Sequence, residues 1–297
     1  MFSICFSERM VLVSIFKGAI LGLFQGLAEF LPISSSGHLN LMQALFGLNL
    51  DHQLLFNILL HVGTLIAVMV VFWKDWIDML LHPIKNRTLL LLFIASLPAL
   101  FAKLLFDKQL DYLETSISLL GVFFLITGLM LILTQIISRR NQQKGVEKDK
   151  VGFLEALVMG CLQAVGMLPG ISRSGSTIFG GVSSRLSRES AAKFSFMMSA
   201  PAIVGSLLVE GKDALESGIT LGNDLPAIIV GMVVAAISGY LAIRFFLKLI
   251  SKVSLNWFAL YVTLLGLLVI ILQLTGVLSA QPAAPAAVAS LASVFPC

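Results

Sequence analysis

The amino-acid sequence predicts an all-α integral membrane protein with two inverted repeats, each a re-entrant broken-helix hairpin followed by three transmembrane helices. Of its 297 residues, 58% are hydrophobic and 12% are charged, against roughly 25% charged in soluble domains. The mean hydropathy is +0.96. A soluble core cannot hide this much apolar sequence, so we expect residues 1–297 to form a single membrane domain.

Six apolar runs are long enough to cross a bilayer, which takes about 20 residues per helix. They cover residues 54–73, 88–106, 116–137, 193–209, 225–243 and 255–275. Two further apolar regions, 10–48 and 152–186, are interrupted by polar residues, and we interpret them as hairpins of broken helices. The Ala/Pro-rich segment 280–297 carries no charge and is expected to be disordered or loosely attached.

A shift of 138 positions relates the first half of the chain to the second. It carries five residues onto identical ones: Gly22, Gln25, Ser34, Ser36 and Gly37 correspond to Gly160, Gln163, Ser172, Ser174 and Gly175. The long apolar runs also start in nearly the same register. We therefore infer one repeat over about 10–137 and a second over about 152–275.

The distribution of charge in the loops predicts how the two repeats are oriented. Lysine and arginine are concentrated in residues 74–87, 139–150, 185–193 and 244–252, and the other connections are acidic or nearly neutral. By the positive-inside rule the basic loops are cytoplasmic. Each repeat then has an odd number of spans, so the repeats are inverted, as in many transporters. Because the net charge of +4 lies in these short loops, we expect no nucleic-acid partner.

The two interruptions contain the residues that we expect to carry chemistry. Residues 25–38 read QGLAEFLPISSSGH, and residues 163–177 include PGISRSGST. Ionisable groups at membrane depth are costly and mark functional sites. Pro32 should break the first helix, and the arginine of the second motif should form an anion-binding nest with its small neighbours. A carboxylate, a histidine, hydroxyls and an arginine around one cavity suit cleavage of a phosphoanhydride.

Together the two motifs closely resemble those of the bacterial undecaprenyl-diphosphatase family, also called the bacitracin-resistance proteins. Both motifs are present in the expected order, and the resemblance covers residues from about 10 to 275. It implies hydrolysis of a polyprenyl lipid, undecaprenyl pyrophosphate, to the monophosphate. The reaction recycles the lipid carrier of cell-wall synthesis in the bacterial plasma (inner) membrane.

The resemblance also implies a role for each motif residue. Glu29 would act through metal binding or proton transfer, Ser35 as nucleophile, His38 as base or leaving-group acid, and Arg173 as a clamp on the pyrophosphate. Substrate binding is implied for Gln25, Ser34, Ser36, Ser172, Ser174, Gly175 and Thr177. The implied cofactor is Mg²⁺ or Ca²⁺ held by Glu29 and substrate oxygens. Some family members carry glutamate where this chain has Gln25, so a two-carboxylate metal site is not expected.

Several alternatives stay open at this point. The attacking group could be the serine, the histidine or an activated water. A transporter or flippase for polyprenyl phosphates would share this architecture, whereas a channel or scaffold has less use for the Glu/His/Arg set. Gln25 and Gln163 could bond between repeats or bind substrate. His61, inside the first long span, is interpreted as a packed histidine.

Two expectations concern the surroundings of the site. The cavity should be reached by the lipid from the outer half of the bilayer. Small residues at five positions allow close helix contacts, and a homodimer through them is an open alternative: Gly121, Gly128, Gly231, Gly239 and Gly266.

Overall fold

The structure, a computed structural model, describes residues 14–46, 53–83, 85–115, 117–216 and 224–278. Within these ranges the regular elements are helices, with one isolated bridge between Lys148 and Leu186. The helices are α1 Ile15–Phe30, α2 Ser35–Leu45, α3 Gln53–Val71, α4 Trp73–Leu81, α5 Thr88–Thr115, α6 Leu120–Lys144, α7 Phe153–Val165, α8 Arg173–Ser183, α9 Arg188–Glu216, α10 Leu225–Leu249 and α11 Asn256–Leu274. The predicted disordered tail, 280–297, lies outside the described residues.

The long helices correspond to the predicted membrane spans. Helices α5, α6, α9, α10 and α11 are each long and apolar enough to cross a membrane, and α3 with α4 makes a sixth if the bent pair counts as one span. The all-α membrane fold class predicted from the sequence is therefore confirmed.

Helix α4 was not expected, because its charges read as those of a loop. It meets α3 at a bend of 74°. Its exposed apolar residues are Trp73, Ile77, Leu80 and Leu81, whose spacing puts them on one face of the helix. Lys74 and the other charged residues lie between them in sequence. A short helix of this kind is typical of the interface between membrane and water.

The two hairpins are broken helices, as predicted. Residues 31–34 separate α1 from α2, and residues 166–172 separate α7 from α8. Leu31, which precedes Pro32, has extended backbone angles, as expected of a residue before proline. Ser34 caps α2 by accepting a hydrogen bond from the Gly37 N–H at 3.3 Å. Caps of this type satisfy backbone donors that have no partner inside the helix.

The helix boundaries keep the register of the internal repeat. Helices α1 and α7 begin at 15 and 153, and α2 and α8 begin at 35 and 173. Helices α5 and α10 begin at 88 and 225, and α6 and α11 at 120 and 256, within two residues of the 138 shift. The boundaries support two repeats, and their inverted orientation stays a prediction.

Close glycine contacts hold each hairpin against a span of the other repeat. Helix α1 packs on α10, where a Cβ at Gly22 would lie 2.1 Å from the Gly231 carbonyl oxygen. Helix α7 packs on α5, where a Cβ at Gly160 would lie 2.5 Å from the Ala95 carbonyl oxygen. Because the backbones touch, larger residues would force the helices apart. Each hairpin therefore packs on a span of the other repeat, and α1 also contacts α8 of the second hairpin.

The five glycines that were candidates for a dimer face pack inside the chain instead. The first, second and last join α6 to α11, and the other two lie against α1: Gly121, Gly128, Gly231, Gly239 and Gly266. They therefore give no support to a homodimer.

Candidate active site

A buried carboxylate lies at the end of α1. Glu29 precedes the last residue of this apolar half-helix, and 7% of its surface is exposed. One turn earlier, the amide of Gln25 donates from Nε2 to Glu29 Oε2 at 3.2 Å. An unpaired charge at this depth would be very unfavourable, so the carboxylate needs a cation from elsewhere in the fold.

The cation comes from the second hairpin. Arg173 is the first residue of α8, and its Nη2 donates to Glu29 Oε1 at 2.5 Å. Its Nη1 donates to the Ser195 carbonyl of α9 at 2.9 Å. Two acceptors fix the plane of the guanidinium. The two hairpins were expected to bring these groups together, and they meet at an ion pair that the sequence did not predict.

Ser35 lies on the other oxygen of the same carboxylate. Its hydroxyl donates to Glu29 Oε2 at 2.7 Å. The preceding residue, Ser34, has a φ of 71°, which is uncommon for a residue with a side chain. Its Oγ accepts from the Gly37 N–H and, at 3.1 Å, from the Gly170 N–H of the other hairpin. These bonds stabilise the loop in a strained form that directs Ser35 towards the carboxylate.

A cavity of about 340 Å³ opens beside these groups, within the usual size range of ligand sites. Its polar end is lined by Glu29, Ser35, Ser36, His61, Gln163 and Arg173. The rest of the lining is mainly apolar and includes Ile58, Leu100, Leu110, Ile203 and Val209, together with Lys103. Such a lining suits a ligand with an anionic head and an apolar tail.

His38 does not line this cavity, which differs from the role expected of it. The ring is 3% exposed and packs against Phe24, Phe124 and Tyr261. Nδ1 lies 2.7 Å from the Ser34 carbonyl, so that nitrogen donates, and Nε2 accepts from the Tyr261 hydroxyl at 2.7 Å. Both nitrogens are occupied. The geometry therefore gives His38 a part in holding the loop and places no base from this residue in the cavity.

His61, interpreted from the sequence as a packed residue, lines the cavity. Its Nδ1 donates to the Asn57 carbonyl at 2.7 Å, and its Nε2 lies 3.5 Å from Glu29 Oε2. Nε2 is therefore the nitrogen nearest the carboxylate. It can pair with an ionised Glu29 when the ring is protonated, and can take up a proton from Glu29 when the ring is neutral. A lone histidine in an apolar span was the only sequence signal for it.

Most of the other predicted binding residues support the hairpins rather than line the cavity. Ser172 caps α8 by accepting from the Gly175 N–H at 3.1 Å, and its own N–H donates to Thr127. Ser174 donates to the Leu31 carbonyl. The Thr177 hydroxyl donates to the carbonyl of Arg173 and lies 2.6 Å from the Ser195 hydroxyl. The predicted anion nest at this helix start thus uses its Ser172 and Gly175 N–H groups within the protein.

The oxygen atoms around Glu29 could hold a divalent cation. Within the described residues, Glu29 is the one carboxylate that lines the cavity, and no group of three or more His, Cys, Asp or Glu residues is present. The oxygen atoms that could act as metal ligands are those of the Glu29 carboxylate, the Ser35 hydroxyl and the Gln25 amide. Gln25 Oε1 has no hydrogen-bond partner among the described residues. Mg²⁺ and Ca²⁺ prefer such ligands and complete their shell with phosphate oxygens and water. The set fits a cation that binds together with the substrate.

The chain is similar over most of its length to proteins of one family. Residues 18–268 match the family described as bacitracin resistance protein BacA. The undecaprenyl-diphosphatase of Carboxydothermus hydrogenoformans is 42% identical over 262 residues, which cover 88% of this chain and 98% of that protein. Those of Halothermothrix orenii and Methanosphaera stadtmanae are 41% and 34% identical, over 88% of this chain and 98% and 99% of their own lengths. The matched region includes both hairpins.

Proposed function

This chain belongs to the bacitracin resistance protein BacA family, and we propose that it hydrolyses undecaprenyl pyrophosphate to undecaprenyl phosphate and inorganic phosphate. The observation that carries the proposal is the Glu29–Arg173 ion pair beside Ser35 at the polar end of the cavity. The reaction recycles the lipid carrier of cell-wall synthesis and gives resistance to bacitracin.

The cavity suits both halves of this substrate. The pyrophosphate head carries several negative charges and needs donors held in place before it arrives. Arg173 is already fixed by Glu29 and Ser195, so its remaining N–H groups can donate to phosphoryl oxygens with little further ordering. The polyprenyl chain is apolar and matches the leucine, isoleucine and valine side chains in the rest of the cavity lining.

The chemical step begins at Ser35. Its Oγ attacks the terminal phosphorus, and its proton passes to Glu29 Oε2, which already accepts the hydroxyl at 2.7 Å. The new bond joins Oγ to phosphorus, and the anhydride bond breaks with its electron pair going to undecaprenyl phosphate. This leaving group is a stable anion and needs little help from an acid.

Water completes the cycle. It replaces Ser35 on phosphorus and releases inorganic phosphate, while the proton held by Glu29 returns to Ser35 Oγ. The further proton that the water loses must leave the site. His61 Nε2, 3.5 Å from Glu29 Oε2, is placed to accept protons from this carboxylate and to pass them into the cavity.

A divalent cation, Mg²⁺ or Ca²⁺, is part of the proposal. Glu29 would hold it, with the Gln25 and Ser35 oxygens as further ligands. A bound cation would neutralise charge on the phosphoryl oxygens. The protein's own part is to hold the Glu29 and Ser35 oxygens at the cavity wall, with Arg173 bonded to Glu29.

We propose that the enzyme lies in the bacterial plasma membrane and that the lipid reaches the cavity from the outer half of the bilayer. The cavity-lining residues of α5 include Lys103 and Leu110, and those of α9 include Ser206 and Val209. All four belong to the second halves of their helices. Both helices follow basic segments, so the positive-inside rule starts them in the cytoplasm and puts these residues towards the outside.

Purified protein in detergent, given an isoprenyl pyrophosphate and Mg²⁺, tests the function. Phosphate should be released, and release should fall at least about 1,000-fold in Glu29→Gln and in Arg173→Ala, since Glu29 accepts the Ser35 proton and Arg173 binds the reacting phosphate. Arg244→Ala is the control, because that exposed arginine bonds Tyr240 on the same helix, far along the chain from both motifs. Lipid transfer across vesicles without phosphate release would instead identify a flippase.

A further inference from the structure

Gln163 is a buried glutamine in the last turn of α7. It is 1% exposed and lines the cavity that also holds Glu29 and Arg173. In the described part of the chain, neither Nε2 nor Oε1 of its side chain has a hydrogen-bond partner. Its amide therefore presents an unused donor and an unused acceptor at the wall of the site.

Burying both ends of an amide without partners is unfavourable, and most buried polar atoms in proteins are paired. An apolar residue of similar shape would avoid the cost, so the amide needs another reason to be there. The three other buried glutamines each have a hydrogen-bond partner: Gln43 donates from Nε2 to Asn57 Oδ1 at 2.7 Å. Gln135, on α6, accepts from the Leu255 N–H at 2.9 Å and lies outside the cavity lining. Gln25, the repeat counterpart of Gln163, uses its Nε2 on Glu29.

The geometry points to Gln163 as a substrate-binding residue that recognises the pyrophosphate head. Its Nε2 donates to a phosphoryl oxygen, and its Oε1 accepts from a protonated phosphoryl oxygen or a bound water. This inference rests on the proposed function, because it names a further residue for the same pyrophosphate ester.

The difference between the repeats gives the proposal a second support. The shift of 138 positions puts glutamine in both hairpins, but the second hairpin has Met167 where the first has Glu29. Gln163 therefore has no carboxylate one turn later to bond, as Gln25 has. The same residue type is committed to the catalytic carboxylate in one hairpin and left available to the ligand in the other.

The test compares Gln163→Leu with Gln135→Leu, two apolar replacements of buried glutamines. The probe is a methylene-bridged, non-hydrolysable analogue of farnesyl pyrophosphate, with Mg²⁺, and the readouts are its Kd and the Tm of the detergent-purified protein. Gln163→Leu should weaken analogue binding about tenfold, the loss expected for one good bond to a charged group, and leave Tm equal or raised. Gln135→Leu should keep the Kd and lower Tm, because it breaks an existing bond.

The steady-state kinetics of Gln163→Leu provide a second test of the proposal. In Gln163→Leu, KM should rise more than kcat falls, because the bond to the head is present before and during reaction. Wild-type Kd and KM in Gln163→Leu would overturn the proposal. If that variant does not fold, Gln163→Met provides the same test with a more flexible side chain, and wild-type binding there overturns it equally. Failure of the wild-type protein to bind the analogue or release phosphate would count against the proposed function itself.

Discussion

In the first hairpin Ser34 caps α2 by accepting a bond from Gly37, and in the second Ser172 caps α8 through Gly175 in the same way. These four residues are related by the internal shift. In both repeats these residues form the N-terminal cap of the second half-helix of the hairpin.

The reactive residues stand at positions where the hairpins differ. Glu29 corresponds to Met167, and Ser35 corresponds to Arg173. One hairpin supplies the acid and the hydroxyl, and the other supplies the cation that pairs with that acid. The matched caps support the fold, whereas the acid, the hydroxyl and the cation stand where the repeats differ.

The largest loss of activity is expected at Ser35, which differs between the repeats, and it should exceed the loss at Ser34, which is the same in both. Ser35→Ala is expected to lower kcat/KM at least about 1,000-fold, because it removes the proposed nucleophile, with little change in Tm. Phosphate-release kinetics and a thermal melt check both values. An activity loss in Ser35→Ala no greater than that in Ser34→Ala would contradict this assignment.

Removal of the divalent cation should lower activity, because its proposed ligands lie in the first hairpin. Chelation with EDTA is expected to lower activity about 100-fold or more, with recovery on addition of Mg²⁺ or Ca²⁺. Glu29 and the neighbouring oxygens are the proposed ligands, so cation affinity should fall in Glu29→Gln and stay the same in Ser172→Ala. Activity that survives EDTA unchanged would remove the cation from the mechanism.

Substitution of His61 should change the kinetics, whereas substitution of His38 should change the stability. His61→Asn is expected to lower kcat about 10- to 100-fold, at or below the low end for general acid–base groups. The rate of the wild type should fall at acid pH, and this fall should be absent in His61→Asn. Protonation of His61 at low pH would block its use as an acceptor, with Glu29, Arg173 and Lys103 as the charged groups lining the same cavity. His38→Ala should lower Tm and keep the shape of the profile. The opposite pattern would restore His38 as the base.

The smallest effect is expected for the two cap residues that correspond in the repeats, Ser34 and Ser172, and it should be a loss of stability. Ser34→Ala and Ser172→Ala each leave backbone N–H groups unpaired, at a cost of about 1–3 kcal/mol in the free energy of unfolding. Chemical denaturation of the detergent-purified protein measures both. Ser34→Ala should lose more, because Ser34 also bonds Gly170. Equal, negligible losses would show that the caps are not needed.

Much of the fold could be predicted because its signals are local. Long apolar runs gave the spans, and Pro32 and the small residues after Pro169 gave the breaks in the hairpins. Helix α4 was missed because Lys74 and its acidic neighbours look like a loop until the helix places them beside an apolar face. The meeting of Glu29 and Arg173 was expected from the repeat and the resemblance rather than from any local signal.

The histidines show what the sequence could not provide. His38 lies two residues after the three serines, so it seemed part of the site, yet α2 turns its ring towards Phe124 of α6 and Tyr261 of α11. His61 is remote in sequence from both motifs and reaches the carboxylate because α3 packs against α1. Which side of a helix faces the cavity depends on its neighbours, and one sequence does not contain that information.

A double-mutant cycle on Glu29 and Arg173 tests most directly whether the two hairpins form one reactive site. The kcat/KM values of Glu29→Gln, Arg173→Gln and the double variant are compared with the wild type. We expect the double variant to be no worse than the worse single variant, because each substitution already disables the same ion pair. Losses that multiply in the double variant would mean that the two residues act independently, and would contradict the account.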